Sequence, residues 1–188
     1  MNGPHNLTTD PAPPAAKASG ARRVLLSRTG VLSTSATAIT GLNEYEHALA
    51  QLIALGHTYE SAAEELGCSI ARASNTMSRL MHRHGRSDRT RTIADLITTG
   101  LLDTTELRAA LPDKLPDLPP RMLQVLTLLA THEVRTVARL AGISQDTIGS
   151  VITRAVTAIG AGSRTHAVVT VLLLSRPDLA ESGGVQRD

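Results

Sequence analysis

The strongest constraint on the fold is an internal repeat, because one pattern of apolar, turn and basic residues occurs twice along the 188-residue chain. The apolar run from Leu49 to Ala54 matches the run from Val125 to Ala130, 76 positions later. Beyond this run the offset is 75, and the matched pairs are Gly67 with Gly142, Ser69 with Ser144, Arg79 with Arg154, Gly85 with Gly160, and Arg89-Thr90 with Arg164-Thr165. An internal duplication is the simplest explanation, so the chain should fold as two related copies of one unit.

Apolar residues at helical spacing predict four helices in each copy. In the first copy, the helices are expected from Leu42 to Gly56, from Thr58 to Gly67, from the N-cap Ser69 to Gly85, and from Arg89 to Thr99. The second copy opens at Leu118-Pro119-Pro120 and repeats this order.

Aromatic residues are nearly absent, which limits the kind of core that the chain can build. There is no Trp, no Phe and only two Tyr, so the core must consist of Leu, Ile, Val, Ala and Met. Small helical units form with such a core, whereas sandwiches and barrels usually need aromatic and β-branched strands. The single cysteine, Cys68, rules out an internal disulfide and favours a reducing compartment. We therefore predict an all-α protein.

Composition and turn residues also divide the chain into segments. Residues 1–40 are predicted to be a disordered or irregular arm. Four-helix domains are expected over 41–102 and 118–176. They are joined by a proline-containing linker, 103–117, in which Thr104 or Thr105 caps a short helix. A disordered tail is expected over 177–188.

The third predicted helix of the first copy carries most of the basic charge. Ala73, Met77 and Leu80 should face inward, and the polar residues between them outward. From Ile70 to Arg91 there are six arginines and one aspartate, a local net charge of +5. Arg72 lies in the first turn, where a cation opposes the helix dipole at a cost of up to roughly 1 kcal/mol, which a docked phosphate would remove. Arg and Asn are also the side chains that read guanine and adenine in the major groove.

The third predicted helix of the second copy is less basic. From Ile143 to Thr165, two arginines are opposed by Asp146, a net charge of +1. Gly149 in mid-helix costs about 1 kcal/mol in helix propensity and permits the close approach of another backbone. Two interpretations stay open for this copy: weak DNA binding, or packing and dimerisation. The inward face of this helix consists of better core residues than that of the first copy. It comprises Ile148, Ile152, Ala155 and Ile159.

These motifs resemble the LuxR/GerE-type DNA-binding domain over Leu42–Leu102 and again over Leu118–Leu174. The residues that carry the resemblance are Leu42, Leu52-Ile53-Ala54-Leu55-Gly56, Gly67-Cys68-Ser69, Arg79, Gly85, Arg89-Thr90 and, in the second copy, Gly160-Ala161-Gly162-Ser163-Arg164-Thr165. The resemblance implies two tandem helix-turn-helix domains whose third helix enters the major groove. It also implies dimerisation through the fourth helices, Thr90–Thr99 and Thr165–Leu174. The run Val171–Leu174 is apolar enough to pack against the other copy or a partner chain.

The resemblance places base and phosphate contacts in the first copy, and the outward polar residues of both copies complete the set. The candidate DNA-binding residues are Thr58, Arg72, Ser74, Asn75, Ser78, Arg79, Arg83, Arg89, Thr147, Ser150, Thr153, Arg154 and Arg164. Thr58 and Arg89 are expected near phosphates.

The chain is therefore expected to be a transcription regulator that binds double-stranded DNA in the cytoplasm, on the nucleoid, with homodimer formation and RNA polymerase contact as further candidate interactions. Two alternatives stay open: a promoter-reading domain like that of a sigma factor, suggested by Leu118-Pro119-Pro120-Arg121, and a protein-interaction module in which the second copy binds a partner. An enzyme is not expected, because we find no glycine-rich phosphate loop and no nucleophile beside a base. No metal, cofactor or membrane span is predicted, since His82, His84 and Cys68 are poorly spaced for zinc.

Overall fold

A computed structural model describes residues 41–176, which form nine helices and no strand. The helices are α1 (Glu44–Ala54), α2 (Tyr59–Glu65), α3 (Ile70–Arg83), α4 (Arg89–Thr98), α5 (Thr105–Ala110), α6 (Pro120–Leu129), α7 (Val134–Leu140), α8 (Gln145–Ile159) and α9 (Arg164–Ser175). The all-α prediction is confirmed for this part of the chain. The arm predicted over 1–40 and the tail predicted over 177–188 lie outside the described residues.

Side-chain caps set the helix starts. The Asn43 side chain accepts a hydrogen bond from the amide of Glu46 (2.8 Å), and the Glu46 carboxylate accepts one from the amide of Asn43 (3.1 Å), which forms a capping box. Ser69 and Ser144 accept bonds from backbone amides in the first turns of α3 and α8, each at 3.2 Å. α2, α3 and α4 begin at Tyr59, Ile70 and Arg89, and α7, α8 and α9 begin 75 residues later, at Val134, Gln145 and Arg164. The 75-residue offset of the sequence repeat therefore also separates the starts of equivalent helices.

Two hydrophobic cores lie within residues 41–176, and α9 contributes to both. Val169 and Leu173 belong to the first core, which is built mainly from α1–α4. Val168 and Val171, on the same helix, belong to the second core, built from α6–α9. Leu172 also packs against the first core. The sequence suggested that the apolar end of α9 packs against either the other copy or a partner chain. The structure shows it packed against the other copy.

The linker between the copies is anchored to both of them. The predicted short helix is present as α5, and its first amide, from Thr105, donates to the Asp103 carboxylate (2.8 Å). Leu107 of α5 is fully buried in the first core. Arg108 reaches across to α9, where its Nη2 donates to the carbonyl of Leu173 at 2.5 Å. The segment is therefore fastened on both sides rather than forming a free spacer.

Equivalent residues of the two copies meet at the junction between α4 and α9. Thr90 and Thr165 are 75 residues apart, both are buried, and their hydroxyl oxygens lie 3.0 Å apart. Equivalent residues also meet in the interfaces of two-fold homodimers. The two copies therefore contact each other through equivalent positions at this point of the junction.

Two further contacts across the junction are approximately reciprocal between the copies. Before α4, the Ser87 hydroxyl donates to the carboxylate of Glu133, the residue that precedes α7 (3.4 Å). Before α9, Gly162 is the equivalent of Ser87, and a Cβ placed on it would lie 3.4 Å from the carbonyl oxygen of Gly56, two residues before the N-cap of α2. Each copy thus places the loop before its fourth helix against the turn before the second helix of the other.

Charged side chains reinforce the junction. The Asp88 carboxylate caps α4 by accepting from the amides of Thr90 (2.7 Å) and Arg91 (3.3 Å), and it also forms an ion pair with Arg164 of α9. Arg91 pairs with Glu133 at 3.1 Å, and the Arg91 side chain is only 11% exposed. Partly buried pairs of this kind fix register more than they add stability.

The junction also contains a histidine that should make stability depend on pH. His166 Nδ1 accepts a hydrogen bond from the amide of Gly162 (3.2 Å), which requires that this nitrogen be unprotonated. Burial, followed by the charge of the nearby His57, lowers the pKa of His166 below its ordinary value of 6.5. The unfolded chain therefore binds the proton more readily than the folded one. The stabilisation is complete above that ordinary value and is lost as the pH falls through the folded-state pKa.

We expect the midpoint temperature of thermal unfolding to decrease when the pH is lowered from neutral to about 5. The fall should be smaller in a His166→Gln variant than in the unmodified chain. His82→Gln, which changes an exposed histidine at the end of α3, is the control and should leave the pH dependence unchanged. An equal dependence in the His166 variant and the unmodified chain would contradict the assignment.

Within residues 41–176 no single helix has both the length and the apolar character to cross a membrane. Only α8 and α9 taken together meet that test, and the chain bends by 64° between them. Most of α9 is buried against the two cores.

Candidate nucleic-acid interface

α3 has one buried face and one exposed polar face. Ala73, Met77 and Leu80 are fully buried, as the sequence predicted. On the opposite side Arg72, Asn75, Ser78 and Arg79 are exposed, and Ser74 is half-buried. The helix is 14 residues long and lies across the first core, so its outward side chains are held on a rigid element. We call the exposed residues Arg72, Asn75, Ser78 and Arg79 the α3 face.

Arg72 is positioned by a residue of α1 rather than by an acid. Its guanidinium carbon lies 4.5 Å from the centre of the Tyr45 ring, within the range of a cation–π contact. The Tyr45 hydroxyl is 3.0 Å from Cys68 Sγ. Burial and this hydrogen bond raise the pKa of Tyr45 to about 12, so the ring stays neutral under Arg72. The contact holds a cation at the start of α3 without neutralising its charge.

Half of the arginines counted from Ile70 to Arg91 are paired with acids from elsewhere. The Arg83 guanidinium binds the Glu46 carboxylate at 2.8 Å, and Arg86 binds Asp95 at 3.0 Å. Arg91 binds Glu133 of the second copy. Their partners lie outside the counted segment, so the sequence count of +5 overstated the charge available to a ligand. Arg79 forms no ion pair or hydrogen bond within residues 41–176.

The second helix of each copy carries a charge that the sequence count missed. Glu60, Glu64 and Glu65 on α2 are exposed, whereas α7 carries Arg135 and Arg139 in an exposed position. Arg135 and Arg139 are the equivalents of Glu60 and Glu64, 75 residues later. From Tyr59 to Arg91 six arginines are opposed by four acids, a net charge of +2. In the equivalent span, from Val134 to His166, four arginines are opposed by one acid, a net charge of +3. The second copy is therefore the more basic of the two.

The exposed face of α8 carries mainly short polar side chains. Ile148, Ile152 and Ala155 are buried as predicted, and Ile159 is half-buried. Of the candidate residues on this helix, Ser150, Thr153 and Arg154 are exposed, and Thr147 is exposed with its hydroxyl 2.7 Å from that of the capping Ser144.

The other candidate residues lie at helix starts. Thr58 caps α2 by accepting from the amide of Ser61 (3.2 Å) and is exposed. Arg89 lies over the Tyr59 ring, with 5.5 Å between its guanidinium carbon and the ring centre. Arg164 is bound to Asp88 and Thr90 in the junction, so its guanidinium serves the packing of the copies.

An open groove lies beside the start of α8. It has a volume of about 610 Å³. Its lining residues are Arg135, Thr136, Ala138, Arg139, Ile143, Ser144 and Gln145. Neither arginine forms an ion pair or hydrogen bond within the described residues 41–176. We call this feature the arginine groove.

No cluster of three or more His, Cys, Asp or Glu side chains in 41–176 is placed to hold a metal ion. His84 instead lies 3.5 Å from the Asp95 carboxylate, within reach of a structural pair.

Comparison of the chain with protein-family models, curated proteins and solved structures gives no match. The LuxR/GerE resemblance and the DNA contacts drawn from it stay predictions.

Proposed function

We propose that the protein is a sequence-specific transcription regulator that binds double-stranded DNA through tandem helix-turn-helix domains. The observation that carries the proposal is the α3 face. One rigid helix buries its apolar side and presents Arg72, Asn75 and Arg79 outward without any acid paired to them among residues 41–176. A major groove admits a helix of this width, and these are the side chains that distinguish its base edges.

Each residue of the α3 face has a role that its chemistry suits. Asn75 can form two hydrogen bonds with an adenine, and Arg79 can bind a guanine or a phosphate. Arg72, held on the Tyr45 ring, supplies a cation at the end of the helix that would enter the groove first. Thr58 is exposed at the start of α2, and Arg89 adds a cation at the start of α4, so both side chains are available to phosphate oxygens. The LuxR/GerE resemblance supports the same placement.

The protein-interaction module is the second candidate, and one observation favours it. Glu60, Glu64 and Glu65 form an exposed acidic helix beside α3, which would repel phosphates if it lay against a DNA backbone. The two functions differ in their response to salt, because phosphate contacts release counterions and lose affinity steeply as salt is raised.

Selection of bound sequences from a pool of random duplexes, carried out with the full chain at several salt concentrations, tests the proposal. A regulator should enrich a defined motif, and its affinity should fall as salt is raised. Recovery of no motif, with affinity independent of salt, would leave the protein-interaction module as the better account.

Gly149 offers a separate test of whether α8 approaches a ligand. A Cβ on Gly149 would meet no atom within 4 Å, so the described fold does not require glycine there. Gly149→Ala should raise the free energy of unfolding by about 1 kcal/mol, since alanine is the better helix former. If the glycine serves close approach of a duplex, the same variant should bind DNA more weakly despite being more stable. Unfolding in urea and DNA titration of the same sample separate the two effects, and a stabilised variant with unchanged affinity would place α8 away from the duplex.

A further inference from the structure

We propose that a single chain contacts one DNA duplex through two surfaces, with α3 reading bases and the arginine groove binding phosphates. This inference rests on the proposed function and adds to it a second contact surface and the distribution of contacts over the DNA site. It does not follow from the resemblance, which implies dimerisation of separate chains.

The first step is that both third helices belong to one packed unit. Thr90 and Thr165 meet at the junction between α4 and α9, and the pairs Asp88–Arg164 and Arg91–Glu133 fasten the two copies to each other. A duplex can therefore meet surfaces of both copies without a second molecule.

The second step is that the surface expected to form a homodimer is already occupied. α4 and α9 meet at their starts, where Thr90 and Thr165 are buried with their hydroxyl oxygens 3.0 Å apart. The fourth helices pack against each other inside the chain and are fixed there by the Asp88–Arg164 and Arg91–Glu133 pairs. The dimer contact implied by the resemblance is therefore made within the chain.

The third step is that the two surfaces differ in chemistry. The α3 face carries the base-reading residues Asn75 and Arg79 but lies beside the acidic α2. The α8 surface carries mainly short hydroxyl side chains with one exposed arginine, Arg154. Two further arginines lie on α7 at positions that are acidic in the first copy. One surface is suited to reading bases and the other to binding a charged backbone.

The arginine groove has the properties of a phosphate site. Arg135 and Arg139 lie one helical turn apart on α7, so both guanidinium groups line the same open cavity together with Ser144 and Gln145. Guanidinium groups bind phosphate oxygens with paired hydrogen bonds, and hydroxyl and amide groups commonly add to such contacts.

The experiment compares mixed-sequence duplexes of about 10 and about 26 base pairs, one and two and a half helical turns. Full-length chains carrying Arg135→Gln or Arg139→Gln are titrated against each, and Lys114→Gln, which removes an exposed charge in the linker, is the control. On the long duplex, each arginine variant should lower the slope of log affinity against log salt by about 1. The preference for the long over the short duplex should also decrease, whereas Lys114→Gln should change neither quantity.

Sedimentation of the complexes supplies a second readout, and one chain per long duplex is expected. Arginine variants that behave like Lys114→Gln, or a long-duplex preference that requires two chains, would overturn the two-surface inference while DNA binding by α3 stands. An absence of salt-dependent binding to either duplex would instead remove the proposed function, and the inference with it. Circular dichroism of each variant verifies that the exposed substitutions leave the fold intact.

Discussion

Replacing Asn75 or Arg79 by alanine should weaken binding of the selected DNA by about 1–3 kcal/mol for each change and relax the preference at the base that each residue contacts. Both side chains are exposed on the α3 face, so neither substitution opens a cavity. Loss of a paired hydrogen bond leaves a base edge unsatisfied in a groove that water no longer fills, which is why the expected cost is large. Titration against the selected duplex, and against duplexes changed one base pair at a time, measures affinity and preference.

Arg83 provides the matched comparison for this prediction. It lies on the same helix, but its guanidinium binds the nearly buried Glu46 carboxylate. Arg83→Ala should therefore lower the free energy of unfolding, because it leaves that carboxylate without its cation, and should change base preference little. If Asn75→Ala and Arg79→Ala alter neither affinity nor preference, the assignment of α3 as the reading helix is wrong.

Gly56→Ala should destabilise the fold by about 3 kcal/mol, because it combines two unfavourable effects. The residue has a φ of +97°, a backbone conformation that alanine adopts only with strain. Its added Cβ would also lie 2.9 Å from His166 Nδ1 and 3.2 Å from His166 Cβ, across the junction between the copies. Unfolding in urea, monitored by circular dichroism, measures the loss.

A second glycine and a second site separate these two effects. Gly67 has a φ of +61°, and a Cβ there would meet nothing within 4 Å, so Gly67→Ala should show the backbone strain alone. His166→Ala removes the ring atoms that the new methyl group would meet, including Nδ1 at 2.9 Å, and keeps only the Cβ at 3.2 Å, so combining it with Gly56→Ala should recover part of the loss. Additive effects of Gly56→Ala and His166→Ala would show that the two residues do not touch and that the junction is packed differently.

The helices could be predicted from the sequence because their signals are local. Side-chain caps such as Thr58, Ser69 and Asp88 fix where helices start, and the four helices of the first copy lie close to the expected limits. The inward residues Ala73, Met77 and Leu80 followed from helical spacing alone. The short helix α5 was also expected, although Asp103 rather than a threonine supplies the hydrogen bond to its first amide.

The charge of the candidate site could not be predicted in the same way, because it depends on distant partners. Arg83 and Arg91 are paired with Glu46 and Glu133, which are 37 and 42 residues away in the sequence. A count that began at the third helix also missed Arg135 and Arg139, which lie on the second helix of the second copy. A signal for them was present, since a comparison of α2 with α7 shows acids replaced by arginines at equivalent positions.

α9 belongs to two interiors at once, which makes the two copies depend on each other for stability. A fragment that ended after α5 would lack Val169 and Leu173 and would leave the space that they fill open to water. A fragment that began at α6 would carry those same side chains into water. Neither fragment should therefore be as stable alone as it is within the unbroken chain.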